Sequence, residues 1–201
     1  MSDSPATREL PAQAITEEVK RLILRASYDI GPDVQAAVEA AEAAEPSPAG
    51  QAALSQIAEN YRIAREDRVA ICQDTGMAVI FLTLGQDVHI TGGDLEEAIN
   101  EGVRQAYAEG YLRKSVVRDP LFDRVNTKDN TPAVIHTRVV PGDRVHLLVT
   151  PKGFGSENMS AMRMLVPADG VEGVKRFIVE TVERAGPNPC PPIIVGVGIG
   201  G

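Results

Sequence analysis

The arrangement of apolar residues changes from helical spacing to short continuous runs at residues 68–84, which read RVAICQDTGMAVIFLTL. Two apolar runs, residues 68–72 and 77–84, stand on either side of a short polar turn. Short apolar runs separated by turn-forming residues are typical of paired strands. We therefore predict two strands here, with Cys72 at the end of the first.

The chain before this stretch has helical periodicity. Apolar residues recur every three or four positions in three segments, which predicts three helices. These are residues 15–28, with Thr16 as a candidate cap, residues 33–44 and residues 49–65. We expect residues 1–11 to be a disordered tail and residues 12–66 to form a helical lobe.

The chain after this stretch mixes helices and strands, so residues 67–201 are predicted to be the α/β part of the protein. A helix is predicted from Leu95 to Glu109, capped by Asp94 and closed by Gly110. Two further strands, residues 133–140 and 144–150, are joined by PGD and are expected to form an antiparallel hairpin.

The end of the chain predicts one more helix and one more strand. Asp169 is expected to cap the helix and Gly186 to end it, and residues 193–197 look like a buried strand. A buried strand followed by glycines normally leads into a covering helix, so we expect this domain to be incomplete at its C-terminus. The predicted class is α/β: an N-terminal helical lobe, then a mixed sheet with a hairpin and flanking helices.

Composition excludes several classes of protein. The 201 residues carry 20 basic and 28 acidic side chains, a net charge of −8, which argues against a nucleic-acid binder. The longest apolar run is much shorter than a membrane span, and no signal peptide is visible. We expect a cytoplasmic protein that contacts neither nucleic acid nor membrane.

Candidate functional residues cluster in loops beside the predicted strands. The two cysteines, Cys72 and Cys190, lie at strand ends, where ligands are commonly placed, although buried inert thiols are the alternative. The glycine spacing of residues 196–201 matches a dinucleotide fingerprint, but the helix and acidic residue which that mechanism needs do not follow. The three histidines have no metal-type spacing.

Four loop motifs together are specific. They read CQDTG at residues 72–76, NTKDN at 126–130, KGFGSEN at 152–158 and NPCPP at 188–192. In this order they resemble the class I, iron–sulfur fumarase family, which includes two-subunit fumarases and L(+)-tartrate dehydratase. The resemblance is to the α subunit or N-terminal domain, so residues 12–201 are expected to be a hydro-lyase domain of that type.

The resemblance implies a 4Fe–4S cluster held by three cysteines, with one iron open as a Lewis acid. Cys72 and Cys190 match two of these metal ligands. The third is expected beyond the glycine-rich turn, after the last residue of this sequence.

The resemblance also implies a substrate site. Gln73, Asp74, Arg113 and the Gly155 backbone are expected to contact a small dicarboxylate, with Asp74 as the catalytic residue and Arg113 as a carboxylate clamp. Lys152 is expected to add positive potential in an acidic chain.

The same resemblance implies a β subunit that supplies further cations and the base, and the protein is expected to be a homo- or hetero-oligomer. The expected reaction is reversible hydration of fumarate to malate. Dehydration of L(+)-tartrate or a related hydroxy-dicarboxylate is the alternative within the family, and a non-catalytic, cluster-free binding or assembly module is the alternative from another class.

Overall fold

The structure is a computed structural model that describes residues 7–200, and the chain divides into two compact units at Lys152 and Gly153. The helices and strands of the first unit are β1 (Arg8–Pro11), α1 (Ala12–Tyr28), α2 (Pro32–Ala44), α3 (Pro48–Asp67), β2 (Met77–Gly85), β3 (Val88–Thr91), α4 (Leu95–Glu109), β4 (Val134–Val140) and β5 (Val145–Lys152). The second unit contains α5 (Phe154–Glu157), a 3₁₀ turn (Pro167–Asp169) and α6 (Gly170–Ala185). The predicted α/β class is confirmed.

The predicted helices are confirmed with small changes at their ends. At the start of α4, the Asp94 carboxylate accepts a hydrogen bond from the Glu97 amide at 2.8 Å, as expected for a cap. The cap predicted for α1 is wrong, because that helix begins four residues before Thr16, directly after Pro11. Thr16 is buried inside α1 and its hydroxyl donates to the Ala98 carbonyl at 2.8 Å, joining α1 to α4.

The main sheet has the order β4-β2-β5, with β4 parallel and β5 antiparallel to β2. The predicted hairpin is therefore wrong, because β2 lies between its two strands. The connection between β4 and β5 crosses the end of β2, where the Gly85 amide donates to the Arg144 carbonyl at 2.8 Å. A Cβ atom on Gly85 would lie 2.3 Å from the Gly142 carbonyl oxygen, so this crossing requires glycine.

One face of β2 forms the core with α1 and α4. The buried side chains of this cluster include Val19 and Ile23 from α1, Ala78, Ile80 and Leu82 from β2, and Ile99 and Val103 from α4. Each fully buried large aliphatic side chain stabilises the fold by about 1.5–3 kcal/mol. Since α1 also packs against β5, the helical segment of residues 12–66 is not a separate compact unit.

Two short segments differ from the sequence expectations. Arg8–Pro11 form β1, which pairs in parallel with β3, so the expected disorder is wrong for these four residues. Residues 1–6 of the expected tail lie outside the described residues. Residues 68–72 form a loop instead of a strand, because the Ile71 amide donates to the Ser27 carbonyl at 2.9 Å and its carbonyl accepts from the Asn60 side chain.

The second unit is dominated by α6, which ends at Gly186 as predicted, with a φ of 53° at that glycine. Asp169 directly precedes α6, but its carboxylate accepts from the Val166 amide at 2.9 Å and does not cap the helix. The strand predicted at residues 193–197 is absent from the described part of the chain. Residues 153–200 contain no strand with which it could pair.

Within residues 7–200, no helix is both long enough and apolar enough to cross a membrane.

Candidate active site

The loop of residues 72–76 connects α3 to β2 and exposes the thiol of Cys72. The Asp74 amide donates a hydrogen bond to Cys72 Sγ at 3.4 Å, and Gln73 Oε1 lies 3.6 Å from the same sulfur. Hydrogen bonds from backbone amides to cysteine sulfurs are among the interactions that stabilise and tune iron–sulfur clusters. The surroundings of Cys72 therefore suit an accessible metal-bound thiolate.

Arg113 faces this loop from the segment that follows α4. Its Nη2 atom lies 3.3 Å from Oδ1 of Asp74, although the two residues are 39 positions apart in the sequence. The Arg113 side chain is 56% exposed and that of Asp74 is 24% exposed. Because the guanidinium is mostly exposed to solvent, the pair contributes only about 0–1 kcal/mol, and an incoming carboxylate can compete with Asp74 for the guanidinium.

Two buried hydroxyl groups fix the backbone under this pair. The Thr75 hydroxyl donates to the Arg113 carbonyl at 2.8 Å, and the Tyr107 hydroxyl donates to the Thr75 carbonyl at 2.6 Å. Burial raises the pKa of Tyr107, and the nearby Asp74 carboxylate acts in the same direction. Tyr107 is therefore a protonated hydrogen-bond donor at neutral pH.

Asn130 joins the same segments from a third direction. It is fully buried and adopts a left-handed backbone conformation with φ of 64°. Its Oδ1 accepts hydrogen bonds from the Ser115 and Val116 amides at 2.7 and 3.1 Å, and its Nδ2 donates to the Gly76 carbonyl at 3.0 Å. One amide side chain thus bridges the loop of Cys72 and the segment of Arg113.

The loop that carries Asn130 is anchored to α4 by an ionic cluster. Arg104 contacts Asp129 at 3.2 Å and also the carboxylates of Glu97 and Glu101. Burial alone would raise the pKa of Asp129, but hydrogen bonds from Thr131 and from Arg104 outweigh it and lower that pKa. These contacts hold residues 126–130 against the helix that also supplies Tyr107.

The other predicted site residues lie in different places. Lys152 is the last residue of β5 and pairs with Met77, so it lies at the end of the sheet where the Cys72 loop enters β2. Gly155 lies in α5, and Cys190 lies in the turn after α6, where its thiol is exposed and its amide donates to the Pro187 carbonyl. Both belong to the second unit, so their roles in the site remain predictions.

The two cysteines are the candidate ligands for a cluster. Cys72 fits a thiolate ligand, and Cys190 is a second free, exposed cysteine. Across residues 7–200, no three side chains of histidine, cysteine, aspartate or glutamate are grouped so that they could hold a metal ion.

Sequence reasoning missed the residues that support the site. Thr75 and Asn130 were visible as members of polar motifs, but nothing in the sequence distinguished their hydrogen bonds. Tyr107 had no signal at all, because it occupies one of the apolar positions of an amphipathic helix.

Comparison with known proteins shows the family to which the chain belongs. The family model described as "Fumarate hydratase (Fumerase)" matches residues 16–201, nearly the whole chain. The chain belongs to this fumarate hydratase family. The family resemblance expected from the four motifs is therefore confirmed.

Curated relatives carry a more specific name. The chain is 40% identical over 191 residues to the putative L(+)-tartrate dehydratase subunit alpha of Methanocaldococcus jannaschii, covering 93% of this chain and 67% of that protein. It is 30% identical over 200 residues to L(+)-tartrate dehydratase subunit alpha of Escherichia coli strain UTI89, covering 98% of this chain and 65% of that protein. The chain thus spans about two thirds of the length of these relatives.

Proposed function

We propose that this chain is the α part of an iron–sulfur hydro-lyase that adds water to, or removes water from, a four-carbon dicarboxylate. The observation that carries the proposal is the Arg113–Asp74 pair, which the hydroxyl groups of Thr75 and Tyr107 hold beside the exposed Cys72. Membership of the fumarate hydratase family and the dehydratase names of the relatives support it.

In this proposal Cys72 and Cys190 are two ligands of a 4Fe–4S cluster, and a third thiolate completes the set. When bound, the cluster supplies a Lewis acid for the hydroxyl that is added or lost. The amide hydrogen bond to Cys72 Sγ is of the kind that stabilises cluster-bound sulfur.

The residues around the loop bind and orient the substrate. The Arg113 guanidinium binds a substrate carboxylate, and the Asp74 carboxylate accepts a hydrogen bond from the substrate hydroxyl. Gln73 and the Gly155 amide provide further polar contacts, and Lys152 raises the local positive potential. We propose that the base for the carbon-bound proton comes from a β subunit, which the name "subunit alpha" of the relatives implies.

Fumarate hydration to malate and L(+)-tartrate dehydration are both candidate reactions. Both remove or add a hydroxyl next to one carboxylate and a proton next to the other, so the same clamp and Lewis acid serve either. The two substrates differ in that tartrate carries one more hydroxyl group than malate. The names of the curated relatives favour tartrate dehydration as the reaction. We further propose that the enzyme works in the cytoplasm as an oligomer of α and β subunits.

The test is a parallel assay of the enzyme assembled with its β subunit and purified without oxygen. We expect turnover of fumarate, of L(+)-tartrate or of both, and loss of turnover when iron is removed by a chelator. Turnover of neither substrate by an iron-loaded preparation would contradict the proposal. It would favour a non-catalytic binding or assembly module.

A further inference from the structure

We propose that Asn130 is a positioning residue that sets the separation of Asp74 and Arg113 and thereby determines how tightly the site binds a substrate carboxylate. This inference rests on the proposed function, in which Arg113 binds a carboxylate of the substrate. The hydrogen bonds that the Asn130 side chain makes with backbone groups do not reach the side chain of Asp74 or Arg113.

The geometry of Asn130 connects the two halves of the pair. The Gly76 carbonyl that it binds is two residues after Asp74, and the Ser115 and Val116 amides are two and three residues after Arg113. A displacement of Asn130 therefore moves both backbone segments that carry the ion pair. Misplacement of a binding group by about 1 Å can cost on the order of a hundredfold in rate, so small displacements matter here.

The chemistry at this position requires asparagine. Two backbone amides need an acceptor and one backbone carbonyl needs a donor, all in a place without solvent, and an amide side chain provides both. Asparagine also tolerates the left-handed conformation better than most residues. Aspartate has the same shape, but its ionised carboxylate would face the Gly76 carbonyl without a donor.

A second hydrogen bond couples the same two segments independently. The Thr75 hydroxyl donates to the Arg113 carbonyl at 2.8 Å, so the segments are joined both through Asn130 and directly. If the separation of Asp74 and Arg113 matters for binding, weakening either connection should have an effect in the same direction.

The experiment measures the dissociation constant of succinate, a dicarboxylate without a hydroxyl to lose, on the complete iron-loaded enzyme by titration calorimetry. The variants are Asn130→Asp, Arg113→Ala and their combination. We expect Asn130→Asp to weaken succinate binding at least fivefold. In the Arg113→Ala background we expect the same change to add less than twofold, because the group it positions is gone.

Asn100→Asp is the matched control. Asn100 is also buried and holds a backbone amide, that of Ala133, but it contacts neither segment of the pair in its hydrogen bond. It places a similar carboxylate in the interior of the same unit, so it reports the cost of general destabilisation. We expect it to change succinate binding less than twofold in folded enzyme.

The outcomes distinguish the positioning role of Asn130 from the carboxylate clamp of Arg113. If Arg113→Ala weakens binding but Asn130→Asp does not, or if the two effects are simply additive, the positioning role is wrong and the proposed function stands. If Arg113→Ala binds succinate like the unchanged enzyme, the carboxylate clamp is wrong and the positioning role fails with it.

Thr75→Val keeps the inference testable if Asn130→Asp does not fold. This near-isosteric change removes only the hydroxyl that binds the Arg113 carbonyl, and the Thr75 carbonyl keeps its bond to Tyr107. We expect it to weaken succinate binding at least twofold. Unchanged binding in a folded Thr75→Val enzyme would overturn the inference.

Discussion

Replacing Arg113 with alanine should separate binding from stability. The Arg113 side chain is 56% exposed, and its described partner is Asp74 at 3.3 Å. The hydrogen bond that joins this segment to Thr75 uses the Arg113 backbone carbonyl, which the substitution leaves in place. We therefore expect the fold to persist and the substrate site to lose its clamp.

The two effects differ in size. Loss of an ion pair whose guanidinium is mostly exposed costs about 0–1 kcal/mol of unfolding free energy. Loss of a charge-assisted hydrogen bond to a substrate carboxylate costs about 1.5–3 kcal/mol, of which the lower bound corresponds to about tenfold in binding. We predict that KM rises at least tenfold with a smaller change in kcat, because the contact is made to bound substrate as well as to the transition state.

The assay compares kinetics and thermal unfolding of the assembled enzyme with those of Arg113→Ala and Arg21→Ala. Arg21 is a matched control, since its side chain is 55% exposed and pairs with Glu18 on α1, away from the site. We expect Arg21→Ala to leave KM unchanged. If Arg113→Ala keeps kcat and KM within about twofold of the unchanged enzyme, Arg113 does not bind the substrate carboxylate.

Two further predictions concern the fold. Gly85→Ala should lower the melting temperature by an amount equivalent to about 1–3 kcal/mol, because its Cβ would lie 2.3 Å from the Gly142 carbonyl oxygen; Gly198→Ala, which meets nothing within 4 Å, should not, and equal melting of both variants would argue against the crossing described. The lowered pKa of Asp129 stabilises the folded protein fully above the usual value near 3.8, and this stabilisation is lost as pH falls from there through the lower pKa of the folded state. Asp129→Asn should therefore lower the unfolding free energy at neutral pH, with a difference that shrinks below about pH 4, and a pH-independent difference would contradict this account.

The helices could be predicted because their signals are local. The spacing of apolar residues and the cap Asp94 act within one or two turns, and the structure confirms the helices that they predict. The position of Thr16 shows the limit, since its hydroxyl is used by a residue 82 positions away instead of by its own helix.

The strand order could not be predicted for the opposite reason. The connection of residues 141–143 has the composition of a hairpin turn, but it crosses the end of β2 and places that strand between β4 and β5. Whether a turn closes a hairpin or bridges over a third strand depends on the contacts of Gly85 with that connection, which are remote in sequence.

The sequence motifs of the candidate site could be recognised, but the contacts between its side chains could not be predicted. The motifs containing Cys72 and Asn130 identified the family, which the comparisons confirm. The contact between Asp74 and Arg113, and the support from Tyr107, arise from packing of α4 against the end of the sheet. A buried tyrosine in an apolar helix position is indistinguishable in sequence from an ordinary core aromatic residue.

The most direct test of the central claim is the iron content of the assembled enzyme and of its Cys72→Ser variant after anaerobic purification. We predict about four iron atoms and four sulfides per α chain in the unchanged enzyme. In Cys72→Ser we predict less than half of that iron and no turnover, with thermal unfolding of the chain otherwise preserved, because the Cys72 side chain is exposed. Full iron content and full activity in Cys72→Ser would contradict the assignment of this loop as the cluster site.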